Sequence, residues 1–253
     1  MSKYIKSSIL AARFLIQQWL FIMMQYKNLT IIGTSHIAKQ SLEEVEKAIE
    51  KGKPDIVALE LDRKRLYSLM SKEQRKISIY DIRRIGLKGF IFSLIGAWAE
   101  KKLGKIVGVA PGSEMKKAIM LARKYKLKIA LIDQDIEITL RRFSKTLTWK
   151  EKWNFIADIM KQIFTGKKEI EFDLTKVPDK KIIKKLVSKV KVRYPNIYKV
   201  LIEERNELMA KNLEKIMEEN QDKKILAIIG AGHEEDILNM IKKPQISYSM
   251  KIG

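Results

Sequence analysis

Four short apolar runs divide this chain of 253 residues, and a glycine or a carboxylate follows each of them. Runs of four or five such residues, bounded by turn-forming or polar residues, predict buried strands. Helical patterns separate the runs, which favours parallel strands joined by right-handed crossovers. We therefore predict an α/β fold with helices flanking a mostly parallel central sheet. The predicted strands are 29–32, 56–59, 128–132 and 225–229.

The segments between these strands carry helix signals. Glu44 stands three residues after Ser41, the spacing of a capping box, which predicts the start of a helix at Ser41. Between 136 and 220 the pattern is helical throughout, so this stretch is predicted to be a helical insertion before the last β-α unit. A terminal strand is predicted at 246–250. Two more helices are predicted to begin at Ser113 and Glu234.

The chain begins with an apolar segment that polar residues interrupt near its middle. A membrane span needs about 20 mostly apolar residues, so a spanning helix is not expected here. We predict that residues 1–26 form an amphipathic or apolar helix and that 27–253 form one α/β domain. The helix is expected either to lie on a membrane surface or to dock on the body of the protein. A translation start at Met23 or Met24 would instead make it a dispensable extension.

A second apolar stretch, at 78–103, includes the run from Phe90 to Trp98. The simplest interpretation is a helical hairpin in the core. A segment of about 10 apolar residues is too short to span a bilayer, although it is long enough to dip into one. Burial of the same residues in a homodimer is a third alternative.

The net charge of +21 is spread along the whole chain. Dispersed lysine favours a solvated surface over a nucleic-acid patch, in which basic residues would be concentrated beside aromatic ones. We therefore expect no specific nucleic-acid partner. The sequence has no cysteine, which excludes disulfides, thiol nucleophiles and thiolate metal sites, and which is typical of an intracellular protein. We expect the protein to be cytoplasmic, with contact to a membrane surface if the N-terminal segment is an anchor.

The only two histidines of the sequence occupy the same position in two Gly-x-x-His motifs, at His36 and His233. Each motif follows a predicted strand, and ligands bind at the carboxyl ends of strands in open α/β sheets. Glu60 follows another strand, so two imidazoles and a carboxylate are expected at one edge of the sheet. That set suits a divalent metal ion in a hydrolase. The alternative is that these histidines are structural or merely exposed.

Other polar residues at the predicted edge have two interpretations each. Arg205 either points along its helix into the crevice or lies exposed in an ion pair with a glutamate of the same helix. Asp133 and Asp135 either line the edge or cap the helix that follows. Glu60 extends an apolar run, and a carboxylate buried there requires a partner.

The chain resembles the TraB/PrgY family in several separated motifs that occur in the same order. The resemblance covers about residues 27–242. It includes Gly33-Thr34-Ser35-His36, the run from Pro54 to Asp62 with Arg65, Glu114-Met115, Leu131-Ile132-Asp133 with Arg141-Arg142, Glu204-Arg205-Asn206 and Gly230-Ala231-Gly232-His233.

This resemblance implies a relationship to the TIKI metalloproteases and, more distantly, to erythromycin esterase and the haem-binding ChaN proteins. It implies a shared site that uses His36, His233, Glu60 and Arg205. To these residues we assign metal ligation by both histidines, with Glu60 as ligand or base and Arg205 polarising a scissile carbonyl or holding a substrate carboxylate. The remaining residues assigned from the matching motifs are Glu204 as catalytic, and Gly33, Thr34, Ser35, Glu114, Asp133, Arg141, Arg142, Gly230 and Gly232 as substrate-binding.

Together these features favour a metal-dependent hydrolase that acts on a peptide or protein substrate with Mn²⁺, Co²⁺ or Zn²⁺. The alternative is a non-enzymatic protein that sequesters a peptide or haem in the same crevice. Many TraB relatives carry C-terminal membrane spans, whereas in this sequence we expect Ile9 to Met24 to be the only candidate anchor.

Overall fold

The computed structural model of the chain describes residues 24–34, 39–71, 80–87, 90, 93–94, 112–151, 153–154, 157–158 and 180–243. A five-stranded sheet organises this part of the chain, in the order β1-β2-β5-β3-β4. Its strands are β1 (Met24–Tyr26), β2 (Leu29–Thr34), β3 (Ile56–Leu59), β4 (Lys128–Leu131) and β5 (Ile225–Gly230).

The strands β2, β5, β3 and β4 are parallel, and β1 is an antiparallel edge strand. The last strand, β5, lies between β2 and β3, so Ala227 pairs with both Ile31 and Ala58. All six residues of β5 are buried, as expected for a strand covered on both faces. The predicted mostly parallel sheet flanked by helices is therefore confirmed.

Helices cover both faces of the sheet. On one face, alternate strand residues pack against α1 (Lys39–Gly52) and α3 (Ser113–Lys124). On the other face, the intervening strand residues pack against α7 (Glu204–Glu219) and α8 (Glu234–Lys242). Further helices are α2 (Arg63–Met70), α4 (Ile136–Thr146), α5 (Lys180–Arg193) and α6 (Pro195–Tyr198), and a π-helical turn (Lys199–Glu203) joins α6 to α7.

The four predicted strands are confirmed with small changes of boundary. β2 extends two residues further, through Thr34, and β4 ends one residue earlier, at Leu131. The helices predicted at Ser113 and Glu234 begin there, whereas α1 begins at Lys39, two residues before the predicted start at Ser41. The described elements between β4 and β5 are all helical, as the sequence pattern indicated. The strand predicted at 246–250 lies outside the described residues.

The prediction of a helix through residue 26 is wrong at its end, because Met24–Tyr26 form β1. Tyr26 pairs with Leu29 across a two-residue turn in which Lys27 has a φ of 52°. The hairpin gives these three residues strand partners that a helix would not have. Residues 1–23, with the rest of the predicted N-terminal helix, lie outside the described residues.

The apolar stretch at 78–103 is described only in part, and its described residues 81–87 and 93–94 are helical. Most of the run from Phe90 to Trp98 lies outside the described residues. Within the described segments, none of the helices combines the length and the apolar character needed to cross a bilayer.

Candidate functional site

The polar residues of the candidate site follow the ends of three parallel strands. Glu60 comes directly after β3, Asp133 lies two residues after β4, and His233 lies three residues after β5 and immediately before α8. Because parallel strands end at the same edge of a sheet, the fold brings these side chains together. Glu60 and Asp133 are both buried, so each carboxylate requires compensating donors.

Arg205, in the first turn of α7, supplies those donors. Its Nε and one terminal nitrogen donate to the two carboxylate oxygens of Asp133 at 3.0 and 2.6 Å. The same terminal nitrogen donates to Glu60 Oε1, and the other donates to the Leu201 carbonyl at 3.0 Å. The π-helical turn ends two residues before Arg205, and such turns are frequent at functional sites. One guanidinium thus joins two strand ends to one helix.

Glu60 is held from two sides and is only 3% exposed. Its Oε1 accepts from Arg205, and its Oε2 accepts from the backbone N–H of Gly230 at 2.5 Å. Oε1 lies 3.7 Å from Nε2 of His233, which is beyond a direct hydrogen bond. The gap between these two atoms is the centre of the candidate site.

Asp133 lies between two arginines, because Arg65 also ion-pairs with it. Burial disfavours the ionised carboxylate, but the hydrogen bonds and charges of Arg205 and then of Arg65 outweigh burial and lower the pKa of Asp133 to about 2. Arg65 is itself positioned by Asp62, whose side chain accepts from its Nε at 2.7 Å. Asp62 also caps α2.

His233 is oriented by Asn206, the residue after Arg205. The Nδ1 atom of His233 lies 2.5 Å from Oδ1 of Asn206, and Nδ2 of Asn206 lies 3.4 Å from Asp236 Oδ2. Asn206 is 1% exposed. The sequence prediction of the site omitted Asn206, Asp62 and Arg65. The available signals were adjacency to Arg205 for Asn206, and the spacing Glu60-x-Asp62-x-x-Arg65 at a strand end for the other two.

The residues of the first Gly-x-x-His motif are described only up to Thr34. Gly33 faces the carboxylate of Glu234, with which an added Cβ would overlap. Thr34 is buried and its hydroxyl donates to the Ile229 carbonyl at 3.2 Å. His36 and Ser35 lie outside the described residues, so the predicted proximity of the two imidazoles is not tested.

The other residues predicted for the site lie in several places. Glu114 is buried in the first turn of α3, and Gly232 has open space up to Val187. Glu204 pairs with the half-exposed Arg142. Arg141 donates to the Arg84 carbonyl at 3.2 Å. Their predicted catalytic and substrate-binding roles stay predictions. Asp135, in contrast to Asp133, caps a helix, α4.

Two cavities differ in their relation to this edge. One cavity, of about 630 Å³, is lined by Asn28 and Gln221. Because these residues precede β2 and β5, this cavity lies at the amino edge of the sheet, opposite the candidate site. The other, of about 570 Å³, is bordered by Asn206 and Asp236. The second cavity therefore adjoins the side chains that orient His233.

The described part of the chain contains no group of three or more His, Asp or Glu side chains arranged to hold a metal ion. It does contain one imidazole nitrogen and one carboxylate oxygen at 3.7 Å, on His233 and Glu60. A single ion with ligand bonds of about 2.0–2.2 Å can contact two atoms separated by up to about 4 Å. The pair is therefore compatible with two of the three ligands expected from the sequence.

Comparison with known proteins shows relatives in archaea and in mammals. An uncharacterized protein of Methanocaldococcus jannaschii is 40% identical over 221 residues, which are 84% of this chain and 53% of that protein. TraB domain-containing proteins of Mus musculus and Homo sapiens are 22% identical over 187 residues, which are 70% of this chain and 49% of theirs. The chain spans about half the length of these relatives.

The model of the TraB/PrgY/gumN family matches residues 23–248, a range that contains all five strands and every residue of the candidate site. The match agrees with the resemblance carried by the two Gly-x-x-His motifs, Glu60 and Arg205. This chain belongs to the TraB/PrgY/gumN family.

Proposed function

We propose that the protein is a metal-dependent hydrolase that cleaves peptides at the carboxyl edge of the sheet. The observation that carries the proposal is the pair formed by the buried Glu60 carboxylate and the His233 imidazole, with 3.7 Å between Oε1 and Nε2. Imidazole and carboxylate groups are the side chains that most often transfer protons in enzyme sites.

The metal would be held by Nε2 of His233 and Oε1 of Glu60, with His36 as the proposed third ligand. Imidazole and carboxylate ligands, with no thiolate in the chain, suit Zn²⁺, Mn²⁺ or Co²⁺. When bound, such an ion polarises a carbonyl and lowers the pKa of water.

Glu60 acts as the proton acceptor in this proposal through its Oε2 atom, while its Oε1 atom would hold the metal. A water molecule beside it gives a proton to the carboxylate as its oxygen bonds to the carbonyl carbon of the substrate. The C–N bond then breaks, and the same proton passes to the leaving nitrogen. Glu60 keeps its orientation through this step because Arg205 and the Gly230 N–H hold its two oxygens.

Arg205 is a positioning residue in this scheme. Its Nε and both terminal nitrogens already donate to Asp133, Glu60 and the Leu201 carbonyl. These contacts favour a role in holding Glu60 over direct polarisation of a substrate carbonyl.

The test is cleavage of a peptide library by the full chain, followed by mass spectrometry, with Mn²⁺, Co²⁺ or Zn²⁺ added. We expect cleavage that a chelator abolishes and that Glu60→Gln and His233→Ala each reduce by at least about 100-fold. Glu43→Gln is the matched control, because Glu43 is an exposed glutamate paired only loosely with Lys47 at 3.5 Å.

Two results would overturn the proposal. One is cleavage that persists in both site variants, which would place the chemistry elsewhere. The other is tight binding of a peptide or of haem with no turnover under any of the metal conditions, which would identify a sequestering protein.

A further inference from the structure

We infer that Asp236, acting through Asn206, holds the neutral His233 ring in the tautomer that carries its proton on Nδ1. If the proposed function holds, Asn206 and Asp236 are positioning residues for the site. The tautomer of His233 does not depend on the proposed function. The inference concerns three residues on neighbouring elements: Asn206 on α7, His233 just before α8, and Asp236 in the first turn of α8.

The direction of each hydrogen bond follows from the chemistry of the carboxylate. An ionised carboxylate only accepts, so the side-chain atom of Asn206 that faces Asp236 is its NH₂ group, at 3.4 Å. The amide oxygen of Asn206 is therefore the atom that faces the imidazole, at 2.5 Å from Nδ1. Because a carbonyl oxygen also only accepts, Nδ1 must carry the proton.

The proton on Nδ1 determines what Nε2 can do. In a neutral imidazole only one nitrogen is protonated, so Nε2 carries the lone pair. Nε2 is the nitrogen that lies 3.7 Å from Glu60. The tautomer thus presents a ligand or proton acceptor to the centre of the candidate site, and an outer hydrogen bond of this kind is typical of histidines that bind metal.

Asp236 is needed to fix the orientation of the Asn206 amide, which could otherwise rotate by about 180°. The reversed amide would place its oxygen against the Asp236 carboxylate and its NH₂ group against Nδ1. Two acceptors, the Asn206 amide oxygen and the Asp236 carboxylate, would then face each other, and the Asn206 side chain, 1% exposed, would lose its hydrogen bond to Asp236. The carboxylate of Asp236 therefore fixes the amide, and the amide fixes the ring.

The tautomer can be read directly by NMR on full-length chain labelled with ¹⁵N-histidine. Long-range ¹H–¹⁵N correlations distinguish the protonated from the unprotonated ring nitrogen above about pH 8, where an ordinary imidazole is neutral. Since the chain has two histidines, the His36→Ala variant leaves His233 as the single signal. Comparison with the unsubstituted chain, which gives two signals, keeps the assignment available if that variant does not fold.

We expect a protonated Nδ1 and an unprotonated Nε2 in the metal-free protein. Asp236→Asn is the decisive variant, because it keeps the shape of the side chain while removing the constraint on the amide, and it should shift the ring toward the Nε2-protonated form. Asp222→Asn is the matched control, since Asp222 is highly exposed and pairs with Lys223 at the surface. A protonated Nε2 in the parent protein, or spectra unchanged by Asp236→Asn, would overturn the inference.

The consequence for the site is measured separately with Co²⁺ alone, by its visible absorption. Asp236→Asn is expected to weaken Co²⁺ binding by ~10-fold, the scale of outer hydrogen bonds to metal ligands. A protonated Nδ1 in a chain that cleaves no peptide would defeat the proposed function and leave the inference standing. Cleavage that requires His233, in a chain whose His233 carries its proton on Nε2, would support the proposed function and overturn the inference about the tautomer.

Discussion

Arg205 determines whether the buried carboxylates of the sheet edge are compensated, because its guanidinium contacts both Glu60 and Asp133. Replacing Arg205 with alanine removes the main cationic partner of those carboxylates. Breaking a buried ion pair in this way lowers the free energy of unfolding by about 3–5 kcal/mol. We expect that loss in the free energy of unfolding of Arg205→Ala, measured by urea denaturation. Arg142→Ala is the control, because Arg142 is half-exposed and pairs with Glu204, and it should cost less than about 1 kcal/mol. Equal losses in the two variants would contradict this account.

Asp133 makes the stability of the fold sensitive to acid. Although burial opposes its ionisation, Arg205 and Arg65 lower its pKa to about 2, against an ordinary value of 3.8. Between those values the unfolded chain binds a proton that the folded chain does not, so stability falls as the pH drops from about 4 toward 2. The contribution present above pH 4 is about 2 kcal/mol. Unfolding free energies measured from pH 2 to 6 should show a shallower acid slope in Asp133→Asn than in the unsubstituted chain; identical slopes would refute the assignment.

Some of the candidate site was predictable residue by residue and some was not. Glu60 stood out because it extends an apolar run, and His233 because it ends a repeated motif. The partners of Arg205 were not predictable, since its contacts with Glu60 and Asp133 join residues 145 and 72 positions apart in the chain. Asn206 was missed because its adjacency to Arg205 does not show which side chain it contacts, and that contact exists only when α8 lies beside α7.

The strands that apolar runs encode were predictable from the sequence, but their order in the sheet was not. Each parallel strand has its own apolar signature, but the insertion of β5 between β2 and β3 depends on packing between distant segments. The edge strand β1 was missed because it has only three residues and continues an apolar stretch with a helical pattern. Its strand character comes from pairing with β2, which is a tertiary effect.

Because Gly33 on β2 contacts Glu234 on α8, we expect Gly33 to tolerate substitution by alanine less well than Gly232 does. A Cβ at Gly33 would overlap the Glu234 carboxylate and come within 3.0 Å of the Ala231 backbone, so Gly33→Ala should lower stability by about 1–3 kcal/mol. Gly232→Ala is the control, since an added Cβ there would lie 3.9 Å from the Val187 side chain, and it should stay within about 0.5 kcal/mol. Thermal unfolding of both variants checks the difference, and a Gly33→Ala protein as stable as Gly232→Ala would show that Glu234 moves aside at little cost.

The central strand β5 contributes residues to both hydrophobic cores. Its residues Ala227 and Ile229 pack with α7 and α8, whereas Leu226 and Ile228 pack with α1 and α3. A strand shared in this way links the two layers of helices, because neither core keeps its full set of contacts when β5 separates from the sheet. The described sheet and helices should therefore unfold as one cooperative unit.

Substitutions in the two cores test this cooperativity. Met115 on α3 and Met209 on α7 are both fully buried on opposite faces of the sheet, so Met115→Ala and Met209→Ala should each cost about 2–5 kcal/mol. Because the sites share no core, the costs should add in the double variant. Hydrogen exchange should accelerate in α7 and α8 as well as in α3 when Met115 is replaced, while Met120→Ala, at an exposed position of the same helix, should leave exchange unchanged. Acceleration confined to the α1 and α3 side would show that the two cores open independently and that β5 does not couple them.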